Sequence, residues 1–172
     1  TKLYVTMEDI RAATIRIGHI GQPLKRHATP IGIRADTPIL NDSSLDALLD
    51  FRLFIKAECL SQTGSFKARG AFNQLLQLTE EERGRGVVAI SSGNHAQAVA
   101  YVAQKLGISA TILMPHDAPA IKREKTLAYG ATVETYDRNT QDRDVVGREL
   151  VKRHGGRFIH PYDDPMTVAG QG

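Results

Sequence analysis

The chain has 172 residues, of which 41 % are hydrophobic and 24 % are charged, a composition typical of a globular protein rather than a disordered one. Its 22 basic residues are interspersed with 19 acidic ones, and this mixed distribution argues against a nucleic-acid-binding face, which needs clustered basic residues. The single cysteine, Cys59, excludes an intrachain disulfide, and no apolar run reaches the length of a membrane span, so a reducing, cytoplasmic location is expected.

The N-terminal part of the chain gives an irregular succession of predicted elements. Met7–Ile17 and Ser43–Asp50 have helical patterns, and Arg52–Glu58 has the pattern of a strand. The segment from Gly21 to Asp36 carries two prolines and no periodicity, which predicts a loop. Ser65 is a favourable N-cap, so a further helix is expected to begin there. Because these elements do not complete an α/β layer, they are predicted to belong to a second domain.

From Val87 onward the sequence alternates regularly between strand and helix patterns. Short apolar or β-branched runs predict strands at Val87–Ser91, Ala110–Met114, Thr132–Tyr136 and Arg157–His160. Predicted helices separate them: Asn94 to Gly107, Pro119 to Tyr129, and a third that is capped by Thr140. Strands joined by such helices form parallel crossovers, which predicts an α/β fold, an open and mostly parallel sheet with helices on both faces. Ligands of these sheets bind at the C-terminal ends of the strands.

Lys67 stands at an unusual place for a lysine, the first turn of the helix predicted to begin near Ser65. The positive end of the helix dipole disfavours an ammonium group there and favours a neutral amine. A neutral lysine is the nucleophile that forms a Schiff base with an aldehyde cofactor. A solvated surface lysine is the alternative interpretation, and this stretch alone does not distinguish the two.

A second candidate is the run Ser91-Ser92-Gly93-Asn94-His95, which follows a predicted strand and opens a predicted helix. Small polar residues at such a junction leave backbone N–H groups exposed, and these can bind an anion such as a carboxylate. The simpler alternative is a helix-capping turn without a ligand.

The remaining polar residues give weaker signals. The histidines lack the spacing of metal ligands, so no metal site is predicted. His116 and His160 are each interpreted as hydrogen-bonded structural histidines at strand ends. Asp163-Asp164 is interpreted as a solvated turn beside Pro165.

Four segments together resemble a known family. They are KAECLSQTGSFKARGAFN, AISSGNHAQAVAYVAQKLG, MPHDAPAIKREKTLAYGA and HPYDDPMTVAGQG, in that order along the chain. Their order and spacing resemble the fold-type II pyridoxal-phosphate enzymes, and are most similar to the branch that contains threonine/serine dehydratases (ammonia-lyases) and serine racemases. The resemblance covers roughly residues 37–172.

The resemblance implies a role for each candidate residue. Lys67 would form the Schiff base with pyridoxal 5'-phosphate and then move the Cα proton of the substrate. Phe66 would lie beside the cofactor ring, and Asn94 would donate a hydrogen bond to the ring's 3-oxygen. The loop formed by Ser91, Ser92, Gly93, Asn94 and His95 would bind the α-carboxylate of the substrate.

Two further positions carry family-specific implications. Dehydratases of this family tend to have alanine where this chain has Ser92, whereas the racemase-like branch has serine across the cofactor plane from the lysine. Ser92 is therefore a second candidate catalytic residue, since racemisation needs a proton donor or acceptor on that face. Lys122 matches a position that lies near a nucleotide effector site in some racemases.

The sequence thus predicts a pyridoxal-phosphate-dependent deamination of L-threonine or L-serine to a 2-oxo acid and ammonia. Serine racemase is the alternative, and a non-catalytic partner-binding or regulatory fragment is the alternative of another class. The expected partner is a small amino-acid substrate, with no nucleic acid and no membrane, and a homo-oligomer is expected at full length.

The resemblance also predicts how the chain is divided. Residues 1–84 and 160–172 would form parts of an incomplete large cofactor domain, and residues 85–159 a small α/β domain. Complete members are about twice as long, and the family's phosphate-binding loop and divalent-metal ligands come after the position of Gly172. The chain alone is therefore expected to retain the cofactor weakly and to turn over little or no substrate.

Overall fold

A computed structural model describes residues 5–18 and 37–172, and the loop predicted between Gly21 and Asp36 lies outside these ranges. The helices α1 to α8 of the described residues span Met7–Gly18, Ser43–Leu49, Lys67–Leu75, Glu80–Arg85, Asn94–Leu106, Ala120–Ala128, Arg143–His154 and Pro165–Gln171. The strands β1 to β6 span Ile39–Leu40, Ile55–Lys56, Val87–Ile90, Ala110–Pro115, Thr132–Tyr136 and Arg157–Phe158. None of the helices in these ranges is long and apolar enough to cross a membrane.

The centre of the fold is a four-stranded parallel sheet with the strand order β5-β4-β3-β6. The chain runs outward from β3 through β4 to β5, and then crosses back to place β6 on the other side of β3. The order of the strands therefore reverses between β3 and β6. In open α/β sheets the crevice for a ligand lies at such a reversal, outside the C-terminal ends of the strands. The open parallel sheet predicted from the sequence is confirmed.

Helices cover both faces of this sheet, as the sequence predicted. On one face α3, α5 and α6 pack over a large buried core that includes Phe72, Val99 and Ile112. On the other face α7 packs over a smaller core around Val88 and Leu150. Side chains alternate between the two faces along each strand because the backbone of a strand is pleated.

The N-terminal elements are shorter than the sequence pattern predicted. β1 and β2 form a two-residue antiparallel pair, although the pattern predicted a strand over Arg52–Glu58. The strand ends early because the Glu58 carboxylate accepts hydrogen bonds from the Arg69 guanidinium at 2.8 and 2.6 Å and from the Thr37 hydroxyl. These bonds hold Glu58 at the start of a short 3-10 turn, Glu58–Leu60, instead of in an extended conformation.

Three predicted helix starts are displaced in the structure. The N-cap of α3 is Phe66 rather than Ser65, although the Ser65 hydroxyl accepts from the Lys67 backbone N–H at 3.4 Å, as a capping side chain does. The N-cap of α7 is Asp142 rather than Thr140, because the Asp142 carboxylate accepts from two backbone N–H groups in the first turn. Pro119 is the N-cap of α6 and lies just outside its first turn.

The C-terminal helix α8 was not predicted, and it corrects the interpretation of the residues before it. Asp164 is the N-cap of α8, where its carboxylate accepts from the backbone N–H groups of Met166 and Thr167 at 2.8 and 3.0 Å. The interpretation of Asp163-Asp164 as a solvated turn is therefore wrong for Asp164. The Gln74 amide also donates to this carboxylate at 3.0 Å, which ties α8 to α3.

Candidate active site

The candidate site lies where β3 and β6 end, at the reversal of strand order. The segment Ser91–Gly93 leaves β3 there, and Ile159–Pro161 leaves β6 beside it. Lys67, the first residue of α3, reaches the same place, since its Nζ donates a hydrogen bond of 2.6 Å to the Pro161 carbonyl. This bond joins residues 94 positions apart in the sequence. The fold thus brings the predicted lysine to the edge of the sheet where a ligand is expected.

Burial and the position of Lys67 in its helix both make the ammonium form less favourable than in a free lysine. Burial lowers the pKa of Lys67 below that of a free lysine, because the ammonium form is less well solvated there. The position at the start of α3 acts in the same direction, since the first turn of this helix carries no acidic residue to offset the dipole. The ring centroid of Phe66 lies 5.0 Å from Nζ, so the predicted ring neighbour and the predicted nucleophile are adjacent.

The loop after β3 has the geometry of an anion site. Gly93 is the N-cap of α5 and offers no side chain, while the hydroxyl of Ser91 accepts from the Gly93 N–H at 3.1 Å. The first turn of this 13-residue helix contains no acidic residue. The backbone N–H groups of this first turn lack an intrahelical acceptor and point out of the helix at its positive end. Ser92 is half-buried in the same loop.

His95 lies next to Lys67 and connects the two strand ends. Its ring is buried, and Nε2 donates a hydrogen bond of 3.0 Å to the Ile159 carbonyl. Nδ1 is then an acceptor, and it has no hydrogen-bond partner among the described residues. Burial, with a smaller contribution from the charge of Lys67, lowers the pKa of His95 to about 4. The imidazole is therefore neutral at neutral pH, and its ring fixes the loop after β3 to the segment after β6.

The side chain of Asn94 is held from the opposite side by α6. Lys122 Nζ donates a hydrogen bond of 2.9 Å to Asn94 Oδ1. An ammonium group can only donate, so the amide oxygen must face Lys122 and the NH2 group of Asn94 is left to donate elsewhere. The structure thus places Lys122 against a predicted cofactor-binding residue.

Two features of the site were not found from the sequence. One is the Pro161 carbonyl that holds Lys67. The other is a cavity of about 500 Å³ on the α7 side of the same strand ends. Its walls are formed by Ile90, Arg143, Asp144, Gly147, Arg148, Val151, Phe158, His160, Pro161, Tyr162 and Asp163. Both depend on β6 lying beside β3, and no local pattern in the sequence indicates that pairing.

His160 has the structural role that the sequence predicted. Its Nδ1 accepts hydrogen bonds from the backbone N–H groups of Asp163 at 2.7 Å and Tyr162 at 3.3 Å. Its carbonyl accepts from the Thr167 hydroxyl at 3.2 Å. These bonds fix the turn that carries the Pro161 carbonyl. Residues 5–18 and 37–172 contain no group of three or more histidine, cysteine, aspartate or glutamate side chains that could hold a metal ion.

The site and the fold together define the class of protein. A lysine whose amine loses its proton readily, beside a helix N-terminus at the crevice of a parallel sheet, is suited to covalent chemistry on an aldehyde or ketone. Residues 32–172 match the family described as pyridoxal-phosphate dependent enzymes. The chain therefore belongs to this family, whose cofactor is pyridoxal phosphate, and has the fold of its fold-type II members.

The relatives within the family include ammonia-lyases and racemases. The chain is 52 % identical over 141 residues to the L-threo-3-hydroxyaspartate ammonia-lyase of a Pseudomonas species, covering 82 % of this chain and 44 % of the relative. It is 43 % identical over 169 residues to a catabolic L-threonine dehydratase of Staphylococcus aureus, covering 98 % and 49 %. The structure of maize serine racemase superposes with a TM-score of 0.84 and 35 % identity, covering 96 % of this chain and 46 % of that one. The chain thus spans about half the length of the curated relatives it matches.

The described residues fit pyridoxal phosphate by their chemistry. Burial lowers the pKa of Lys67, which favours the neutral amine that reacts with an aldehyde. The Asn94 amide presents a donor, which suits the oxygen on the cofactor ring. Phe66 lies next to the amine with 43 % of its surface exposed, and so offers an apolar face to a ring.

Proposed function

We propose that the full-length protein is a pyridoxal-phosphate-dependent ammonia-lyase that converts L-threonine or L-serine to a 2-oxo acid and ammonia. The observation that carries this proposal is the partly buried amine of Lys67, fixed by the Pro161 carbonyl at the end of β6. Its support comes from the family of the chain and from a relative that is named a threonine dehydratase.

Each residue of the site has a role in this proposal. Pyridoxal phosphate, when bound, draws electrons from the α-carbon of an attached amino acid and so makes its proton easier to remove. The Lys67 amine, once free, takes the Cα proton at Nζ, because its lowered pKa leaves it able to act as a base. The N–H groups at the start of α5 bind the α-carboxylate and orient the substrate. Asn94 donates to the oxygen of the cofactor ring.

The test is the Lys67→Ala variant of the full-length protein, with Lys125→Ala as the matched control. Lys125 is an exposed lysine in the last turn of α6. Lys67→Ala is expected to lose the cofactor adduct that borohydride traps and to lose ammonia release from threonine and serine, whereas Lys125→Ala keeps both. Retention of the adduct and of ammonia release in Lys67→Ala would refute the proposal. The absence of any adduct in the wild-type protein would favour a non-catalytic binding or regulatory role instead.

A racemase activity is the second candidate, and Ser92 is the observation that favours it. Ser92 lies in the anion-binding loop, and maize serine racemase is among the structures that superpose on the chain. A hydroxyl on the face opposite Lys67 could return a proton to Cα with inverted configuration. Incubation with L-serine should then give D-serine, detected by chiral chromatography, and Ser92→Ala should abolish it while ammonia release persists. If the wild type forms no D-serine, racemisation is excluded.

A different substrate is favoured by the relative that is 52 % identical and is named an L-threo-3-hydroxyaspartate ammonia-lyase. The cavity beside Pro161 is lined by Arg143 and Arg148 but also by Asp144 and Asp163, and Arg143 already pairs with Asp144 at 3.2 Å, so this substrate rests on the relative alone. Ammonia release from L-threo-3-hydroxyaspartate, L-threonine and L-serine should be compared by kcat/KM in the same preparation. A higher value for the dicarboxylic substrate would replace threonine and serine in the proposal and leave the reaction class unchanged.

A further inference from the structure

Lys122 occupies a position that helix electrostatics disfavours. It lies in the first turn of α6, where its backbone N–H donates to the carbonyl of the N-cap Pro119 at 2.9 Å. No acidic residue accompanies it in that turn, so its charge is opposed by the positive end of the helix dipole. Lys67 in α3 is also placed in this way, and it has a proposed function. A group that accepts a hydrogen bond from the Lys122 ammonium would offset this unfavourable interaction with the helix dipole.

The partner in the structure is Asn94, 28 residues earlier in the chain. The ammonium group of Lys122 donates to Asn94 Oδ1 at 2.9 Å, across the space between the first turns of α5 and α6. An asparagine amide can rotate by half a turn about its terminal bond and exchange its oxygen and its NH2 group with little change of shape. The bond from Lys122 removes this freedom, because only the oxygen can accept it. The NH2 group is then presented on the other side.

We propose that Lys122 is a positioning residue that holds the Asn94 amide with its NH2 group turned toward the oxygen of the cofactor ring. The inference rests on the proposed function, in which Asn94 is the donor to that oxygen. The positive charge beside Oδ1 also polarises the amide, which makes its N–H groups stronger donors to an anionic oxygen. Without Lys122 the amide is free to present its own oxygen to the anion, and this orientation is repulsive.

The experiment compares Lys122→Met, Lys122→Arg and Lys125→Met in the full-length protein. Methionine keeps the length of the side chain and removes the donor, arginine keeps a donor, and Lys125 is an exposed lysine of the same helix. The readouts are the dissociation constant of pyridoxal phosphate and the pH midpoint of the visible absorbance change of the bound cofactor. Circular dichroism and the thermal midpoint verify that each variant is folded.

Lys122→Met is expected to weaken cofactor binding by about fivefold, the upper range for one charged contact at an accessible site. It should also raise the pH midpoint, because loss of a donor to the anionic form of an oxygen raises the pKa of that oxygen. Lys122→Arg should recover most of both effects, and Lys125→Met should match the wild type. An unchanged dissociation constant and pH midpoint in folded Lys122→Met would overturn the inference.

A double-mutant cycle with Asn94→Ala tests whether Lys122 acts through Asn94. If it does, adding Lys122→Met to Asn94→Ala has no further effect on either readout, since the group that it positions is already gone. A full additional effect would show that Lys122 acts on a ligand directly and would overturn the inference. A Lys122→Met variant that binds the cofactor normally but no longer responds to an added nucleotide would also overturn the inference. If the wild type forms no borohydride-trapped adduct on Lys67, the proposed function fails, which is distinct from failure of this inference alone.

Discussion

Lys67 and His95 are brought together by bonds to the same short segment after β6. Nζ of Lys67 donates to the Pro161 carbonyl, and Nε2 of His95 donates to the Ile159 carbonyl. Burial lowers the pKa of both groups, and the charge of Lys67 contributes to the shift of His95. A neutral His95 therefore avoids placing a second positive charge beside the amine. This arrangement lets the histidine fix the loop without competing with Lys67 for a proton.

The lowered pKa of His95 predicts a loss of stability in acid. Its pKa is about 4 in the folded protein and about 6.5 when unfolded, so the unfolded chain binds the proton more tightly. The stability that the neutral ring contributes is complete above about pH 6.5 and declines as the pH falls toward 4. Between about pH 7.5 and about pH 5 the free energy of unfolding should fall by about 2 kcal/mol on this account.

His95→Gln measures this contribution by comparison with the wild type. Glutamine retains an N–H donor for the Ile159 carbonyl but cannot titrate. Urea unfolding at the two pH values should show a decline that is about 2 kcal/mol smaller in His95→Gln than in the wild type. An equal decline in His95→Gln and the wild type would show that other groups determine the acid sensitivity.

At the scale of elements, the contact between α3 and α8 controls the position of the Pro161 carbonyl. A β-carbon added at Gly170 would lie 2.8 Å from the Arg69 carbonyl oxygen and 2.9 Å from the Gly70 α-carbon, both of which are backbone atoms of α3. The two helices can approach this closely only with glycine at the crossing. The Thr167 hydroxyl in α8 shares its single O–H between the Gln74 side-chain oxygen at 2.7 Å and the His160 carbonyl at 3.2 Å, so a displaced α8 would also displace the turn after β6.

Gly170→Ala should therefore destabilise the protein by about 1–3 kcal/mol, the usual cost of overpacking a tight contact. Gly84→Ala is the matched control, because a β-carbon at this position in α4 meets no atom within 4 Å. Alanine at Gly84 should be neutral or stabilise the helix by up to about 1 kcal/mol. Urea unfolding of both variants gives the comparison, and equal stabilities would mean that the crossing of α3 and α8 adjusts without cost.

The elements also show what can and cannot be read from the sequence. The regular alternation after Val87 predicted β3, β4, β5 and the helices between them, because each has the periodicity of its own structure. The pattern did not reveal α8, whose start depends on Asp164 accepting from backbone N–H groups and from Gln74 of a distant helix. It also did not reveal that β6 returns to pair with β3. Pairing of strands far apart in sequence depends on tertiary packing, which local periodicity does not record.

The candidate site likewise contains some residues that the sequence indicates and some contacts that it does not. Lys67 and the loop after β3 have local signals, a lysine at a helix start and small polar residues at a strand end. The Pro161 carbonyl and the contact of Lys122 with Asn94 have none, because each joins elements that only the folded sheet brings together. The family resemblance supplied roles for the first group of residues, and the structure added the bonds that hold them in place.

For the whole molecule, the crevice at the reversal of strand order is bounded by α3, the loop after β3 and the turn after β6. The side chain of Phe66 at this crevice is 43 % exposed. Apolar side chains around β1 and β2 are also exposed, among them Ile39, Phe54 and Ile55. In relatives the matched region is about half of the protein. We therefore expect the remaining half of a full-length protein to contribute binding surface for the cofactor.

This expectation gives a prediction for the 172-residue chain by itself. It should bind pyridoxal phosphate through Lys67, but at least about tenfold more weakly than the full-length protein, because roughly 1.4 kcal/mol of lost contacts already has that effect. It should also release little or no ammonia from threonine or serine. Spectral titration with the cofactor, with and without borohydride trapping, compares the two proteins, and Lys67→Ala in the short chain corrects for adducts on other lysines. Equal dissociation constants for the short and the full-length protein would show that the crevice described here is sufficient to bind the cofactor.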